Sequence, residues 1–303
     1  MLTSNSYVLA ALVGLAAIFS SCSVKEDFST CKKSQVQLDV RAFGIEQSAF
    51  TKASADKDPH RIVFKAFDTS DAVAYAITQA SEQEGFGVLN FELSPGSYTF
   101  VAVAHDLSSA TLAADKGGNV AASINSASET VLPEANVSDT FCNTLNVTIK
   151  PGESFNSDMM LPRVISKFKL TINDAIPAGT AKIKFIVNSS ADAASGNPSF
   201  DPSTGFALED RQYVRSFDIA NASIGLSGVS LSVSLLLTAE TQDIDVTAAA
   251  YDADGNLIIL HELTDVPMKL NRTTVASGNF FTATGGGSFA FSTEWDTDAE
   301  ISY

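Results

Sequence analysis

The chain has 303 residues, a length that suits about two domains. Hydrophobic residues make up 45% and charged residues 18%, so a core can form, and 19 basic against 35 acidic residues leave a net charge of −16. That sign argues against a nucleic-acid partner and against a polybasic grip on an anionic leaflet. No runs rich in Glu, Lys and Leu support a helix bundle, whereas abundant Ser, Thr, Val, Phe and Gly suit strands and tight turns.

The first element is an apolar stretch over 7–19, YVLAALVGLAAIF. It falls short of the roughly 20 residues of a membrane-spanning helix but matches the core of a signal peptide. It runs into Phe19-Ser20-Ser21-Cys22, which resembles a lipobox: cleavage before Cys22, whose sulfur then carries a diacylglycerol. Phe19 stands where Leu is commonest, and the first seven residues hold no Lys or Arg. The alternative is an ordinary secretory signal with an incidental cysteine. Lys25-Glu26-Asp27, just past the cysteine, resembles the export tag of surface lipoproteins in the Bacteroidales. Residues 1–21 are then the signal peptide and 22–33 a lipid-anchored tether. Cys31 and Cys142 either pair in an oxidising compartment or stand as two free thiols. A bridge would close a loop of 110 intervening residues, where chain entropy gives about 4–5 kcal/mol.

Beyond the tether the pattern is of strands. Val36, Leu38 and Val40 alternate with Gln37, Asp39 and Arg41, a half-buried strand. A polar loop over 51–60 follows, then strands over 61–67, 72–78, 87–93 and 97–104. Ser94-Pro95-Gly96 predicts a hairpin between the last two. Residues 106–139, rich in Ala, Ser and Asn, are expected to form a loop with one short helical turn. Strands return over 144–149 and 157–161. The second half predicts strands over 164–172, 181–187, 211–219, 229–237, 244–251, 257–263 and 274–282, with a loop over 190–205. In a last strand Phe289, Phe291, Thr293 and Trp295 share one face, expected to be a core face. Ile62-Val63-Phe64 is echoed by Ile183-Lys184-Phe185, and the segment at 98–106 by that at 245–252. Short strands with turn punctuation and an internal echo predict an all-β protein of two tandem β-sandwiches, 34–161 and 162–303.

Chemistry-bearing motifs are missing from the sequence. His60, His105 and His261 have no neighbour at metal-ligand spacing, and no G-x-S-x-G, P-loop or H-E-x-x-H motif occurs. A Ser–His–Asp triad is not settled by spacing, since its members lie far apart in sequence. Asp252-Ala253-Asp254-Gly255-Asn256 resembles the start of a calcium loop, but strand patterns flank it and a hairpin turn accounts for it. The expectation is no catalytic residue, no metal and no cofactor.

Three segments resemble the fimbrillin superfamily of the Bacteroidales, whose members build type V pili. They are Cys22-Ser-Val-Lys-Glu-Asp-Phe-Ser-Thr-Cys31, Leu161-Pro-Arg-Val-Ile-Ser-Lys-Phe-Lys-Leu170, and Val266 to Phe280 with Asn271-Arg272-Thr273 at a turn. The first is similar to the start of the fimbrial anchor lipoproteins. The resemblance implies transthyretin-like Greek-key sandwiches, a lipoprotein of the outer membrane exposed at the cell surface, and assembly with other pilus subunits by β-strand addition. Stalk members of the superfamily lose an N-terminal segment after an arginine. Arg41 lies inside a strand pattern, while Arg61 follows a loop open to a protease and is the candidate site. The implied role is an anchor or accessory subunit, with a stalk fimbrillin or a glycan-binding surface lipoprotein as alternatives.

Overall fold

The computed structural model describes residues 33–43, 59–105, 109–114, 120–125, 139–188, 199–282 and 289–295. Its described elements are strands apart from one 3₁₀ turn at Asn221–Ser223. The first nine are β1 (Ser34–Phe43), β2 (Arg61–Asp68), β3 (Val73–Ala80), β4 (Val88–Leu93), β5 (Gly96–His105), β6 (Ser109–Ala114), β7 (Val120–Asn125), β8 (Thr140–Ile149) and β9 (Phe155–Pro162). Next come β10 (Ser166–Ile172), β11 (Lys182–Val187), β12 (Ser199–Phe200), β13 (Tyr213–Asp218) and β14 (Val229–Leu235). The chain then forms β15 (Thr241–Tyr251), β16 (Leu257–Lys269), β17 (Arg272–Gly278) and β18 (Ala290–Trp295).

Strand order repeats. In the first half the sheets run β4-β1-β9 and β3-β2-β5-β8; in the second they run β14-β10-β17-β18 and β13-β11-β15-β16. Setting aside the β6–β7 hairpin and β12, the seven strands of each half follow one order, and β18 is an addition at the edge of the second. β1 pairs parallel with β9, as β10 does with β17. The sequence echoes fall on equivalent strands, β2 with β11 and β5 with β15. Two clusters fill the space between the paired sheets. Val36, Leu38, Phe64, Tyr98 and Phe100 lie in one, and Val164, Phe168, Ile183 and Phe185 in the other, as the alternation predicts.

The halves are not separate below the surface. Val63, Phe67, Val101, Val103 and Cys142, on the far face of the β3-β2-β5-β8 sheet, join the cluster of the second half. β12 pairs with β7, and Phe141 bridges Arg163.

Two expectations need correction here. The stretch 106–139, described over 109–114, 120–125 and at 139, holds the β6–β7 hairpin where a loop is expected. Its pairing to β12 spans the two halves, so no local pattern announces it. Ser94-Pro95-Gly96 does turn the chain, and the Tyr98 hydroxyl donates to the Ser94 carbonyl at 2.8 Å. It does not close a hairpin, because β4 pairs with β1 while β5 pairs with β2 and β8. Both strands face the same core from opposite sheets, which gives the same alternation as a hairpin would.

Candidate functional site

The residues singled out by sequence do not converge on a cleft. Cys22 and Cys31 lie outside the described residues. Cys142 is 1% exposed on β8, a free thiol that burial pushes up strongly, with a smaller push from the charge of Asp201. The Ser34 hydroxyl donates to the Lys150 carbonyl at 2.7 Å, which ties the start of β1 to the end of β8 opposite Cys142.

Arg61 is the first residue of β2, paired with Ala80 on one side and His105 on the other. The bond that a trypsin-like protease would cut joins it to Ile62, which is 0% exposed. Pro59 and His60 end the polar loop, and the hydrogen-bonded strand begins at the arginine itself, where the strand over 61–67 is expected. Arg41 sits in β1, ion-paired to Asp39.

β1 fills the middle of its sheet, between β4 and β9. Val36, Leu38 and Val40 point inward and are fully buried. At about 1.5–3 kcal/mol for each buried aliphatic, they supply roughly 5–9 kcal/mol, comparable with the whole stability of a domain. Loss of this strand would open a groove that demands another strand in its place.

Asp252 to Asn256 forms the turn between β15 and β16. The Asp252 carboxylate accepts from the amides of Asp254 (3.0 Å) and Asn256 (2.8 Å) and from the Asn256 side chain (2.9 Å). The Asn256 side chain, then its amide, hold this carboxyl below the usual range. These donors use the oxygens that a cation would need, and Gly255 supplies the positive φ of the turn. Among the described residues no cluster of three or more His, Cys, Asp or Glu is placed to hold a metal ion. His105 and His261 are buried, and His261 Nε2 lies 2.7 Å from the Phe280 carbonyl, packed against the Phe280 and Phe289 rings.

The last strand departs from its expected burial. Phe289 is half-buried against the second cluster, but Phe291, on the same face of β18, is 42% exposed. An inward-facing residue on a terminal edge strand overhangs the sandwich, and alternation does not report that.

What the sequence did not single out is a carboxylate far from its partners. Asp174, just after β10, accepts from the amides of Phe280 (2.8 Å), Phe281 (2.8 Å) and Thr282 (2.7 Å) and from the Thr282 hydroxyl (3.0 Å). Burial pushes this carboxyl up, and those hydrogen bonds pull it further down, to a net position below its ordinary value. The clasp holds the chain where it leaves β17 toward β18.

A sequence profile of a family of unknown function, DUF6562, matches residues 29–302. No curated protein matches the chain. Solved structures share its fold at low identity. A candidate adhesin from Bacteroides ovatus is 12% identical with a TM-score of 0.54, covering 85% of this chain and 96% of its own. A candidate polysaccharide-binding protein from Bacteroides thetaiotaomicron is 11% identical with a TM-score of 0.52, covering 81% and 92%. The fimbrial anchor protein Mfa2 from Porphyromonas gingivalis is 10% identical with a TM-score of 0.50, covering 87% and 98%.

Proposed function

This chain belongs to the DUF6562 family, and from that footing we propose that it is a non-enzymatic fimbrial-type lipoprotein, an anchor or accessory subunit. Residues 1–21 are its signal peptide and 22–33 a tether held in the outer membrane through lipidated Cys22. Residues 34–161 and 162–303 are its two transthyretin-like Greek-key sandwiches, and other pilus subunits join by strand addition. The fold it shares with a fimbrial anchor protein and an adhesin-type protein supports the class. Main-chain pairing at a sheet edge gives such a partner its affinity without any active site.

The observation that supports the subunit assignment is the Arg61–Ile62 bond, which lies inside the β2 ladder. A stalk subunit surrenders a strand to receive its neighbour. Here the strand ahead of Arg61 is the buried centre of its sheet, and the bond after Arg61 lies inside the ladder. A subunit that keeps this strand keeps its own route to Cys22. From Ser23 to Lys33 the tether spans at most about 36–40 Å, so the first sandwich stands close to the headgroups.

Growth with a clickable palmitate analogue tests the root. The wild-type protein should take up label and fractionate with the outer membrane, and Cys22→Ala should lose both the label and the membrane. An unlabelled wild type, or a Cys22→Ala protein that stays in the membrane, refutes the lipid root. Immunogold microscopy then asks whether the protein sits at the base of filaments. The second reading, a glycan-binding surface lipoprotein, is favoured by one observation, the exposed aromatic ring of Phe291 on β18. A glycan array on which Phe291→Ala and Trp295→Ala lose binding would replace the fimbrial reading with that one.

A further inference from the structure

An open sheet edge invites another chain, and most edges here are guarded. β4 carries Glu92, β9 carries Asp158 and Pro162, β13 carries Arg215 and Asp218, and β18 carries Glu294. β16 carries Glu262, Asp265, Pro267 and Lys269. Charges and prolines at such positions are how proteins discourage edge pairing. Apart from the two-residue β12, the edge strands without charge or proline are β3, β6, β8 and β14.

Three of the four are poor acceptors. β8 has Phe141 bridged to Arg163, and its Asn143 side chain donates to the Met160 carbonyl of β9 at 2.7 Å. The β3 ladder carries an irregularity at Ala66–Phe67, and next to the strand's last residue stands Gln79, whose side chain donates to the Val88 carbonyl at 3.1 Å. β6, SATLAA, has one large apolar residue. β14 differs on every count. It reads VSLSVSL, and its ladder with β10 runs unbroken over seven residue pairs, from Val229 to Leu235. Val233 and Leu235 are buried inward, while Ser230 and Ser232 face out and are exposed. Among the described residues its sole ladder partner is β10.

The pattern is also its own complement. Turned antiparallel about Ser232, β14 sets Val229 against Leu235, Ser230 against Ser234, Leu231 against Val233, and Ser232 against itself. Apolar residues meet apolar ones on the core side, serines meet serines outside, and no like charges are opposed. β3 fails this test, because a turn about Ala76 or Ile77 sets Gln79 against Val73 or Tyr75. Neighbouring β13 brings one charge of each sign to the same rim, Arg215 and Asp218, so no single sign accumulates there.

We propose that β14 is the edge through which two copies of this chain pair, antiparallel and two-fold symmetric about Ser232, joining two four-stranded sheets into one of eight. A seven-residue edge contact is small beside the roughly 800 Å² per partner of a standard interface, so the pair is reversible on dilution. Confinement of both copies to one surface would strengthen it through effective concentration. The inference stands apart from the fimbrial reading and needs no pilus.

The test uses the full-length chain with Cys22→Ser and Cys31→Ser, which leaves buried Cys142 as its native cysteine. Two residues directly opposite across an antiparallel pair lie about 4.5–5.5 Å apart at Cα, within disulfide range. Under mild oxidation Ser232→Cys should form a linked dimer at least tenfold faster than Leu226→Cys, an exposed control just before the strand. Ser230→Cys and Ser234→Cys should link poorly alone and readily when mixed. Ser232→Asp, which opposes two carboxylates at the axis, should sediment as monomer at concentrations where the parent is dimeric, with an unchanged melting temperature. Equal linking rates at 232 and 226, a parent that stays monomeric at millimolar concentration, or a Ser232→Asp dimer would each overturn the proposal.

Discussion

Replacing Asp174 with Asn tests whether one carboxylate closes the second half of the molecule. Its two oxygens accept three consecutive amides, of Phe280, Phe281 and Thr282, and the Thr282 hydroxyl. A hydrogen bond to a charged group contributes about 1.5–3 kcal/mol when buried. This carboxylate is half-exposed and the freed amides near Thr282 can reach water, so the set is discounted to about 2 kcal/mol in all. For a chain of this size that is a fall of about 3 °C in melting temperature. Asn keeps the shape but offers one acceptor and turns an amino group toward donors. The pH dependence separates charge from shape. A carboxyl held below its ordinary value stabilises the fold above its unfolded pKa, near 3.9, and that contribution is lost as pH falls through the lower native value. The gap between wild type and Asp174→Asn should therefore be full at pH 6 and narrow steadily below about pH 4. Circular dichroism melts across that range measure it. A gap unchanged from pH 6 to pH 3, or none at pH 6, refutes the reasoning.

Three further expectations concern the junction and the first half. Asp139 pairs with both Arg163 (3.4 Å) and Lys167 (3.8 Å), and Arg163 is buried, so Asp139→Ala should cost about 3 kcal/mol in urea unfolding. A cost below about 0.5 kcal/mol would show the ion pairs to be idle. Gly205 has φ +78° and a Cβ there would land on the Val164 side chain, so Gly205→Ala should cost about 2–4 kcal/mol, against near neutrality for Gly179→Ala in space, where only the φ penalty applies. Trypsin acting on the native protein should leave the bond between Arg61 and Ile62 intact; a fragment beginning at Ile62 would place β2 outside the stable ladder.

What the sequence announced is what alternation controls. Val36, Leu38 and Val40 could be assigned inward because one face of β1 is wet. Phe64 and Phe185 fell on equivalent strands because the same strand order needs a large inward residue at the same place. Pairing partners are another matter. Nothing in SATLAA or VAASIN says that β7 will pair with β12 some 75 residues later. Nor does anything near Asp174 point to amides 106–108 residues on. Phe291 failed for a different reason, since a shared face is readable from spacing while the cover over that face depends on the opposite sheet.

The junction between the halves decides which surfaces remain for partners. Two domains joined by a bare linker move freely by default. Here the chain is tied at several points as it crosses: Phe141 bridges Arg163, the Val164 amide donates to the Thr140 carbonyl at 2.9 Å, and Asp139 holds both Arg163 and Lys167. Below these ties the middle of the β3-β2-β5-β8 sheet, β2 and the later half of β5, is buried on both faces, its far side merged with the second core through Val101, Val103 and Cys142. That burial accounts for the near-continuous apolar run from Phe100 to Ala104, which a half-exposed strand would break with polar residues. It also removes that sheet's broad face from the list of docking surfaces. Among the sheet edges that remain are β14, without any charge to guard it, and β18, with Phe291 overhanging. Disrupting the junction should therefore cost stability, while substitutions of the outward Ser230 and Ser232 of β14 should cost association and leave stability alone.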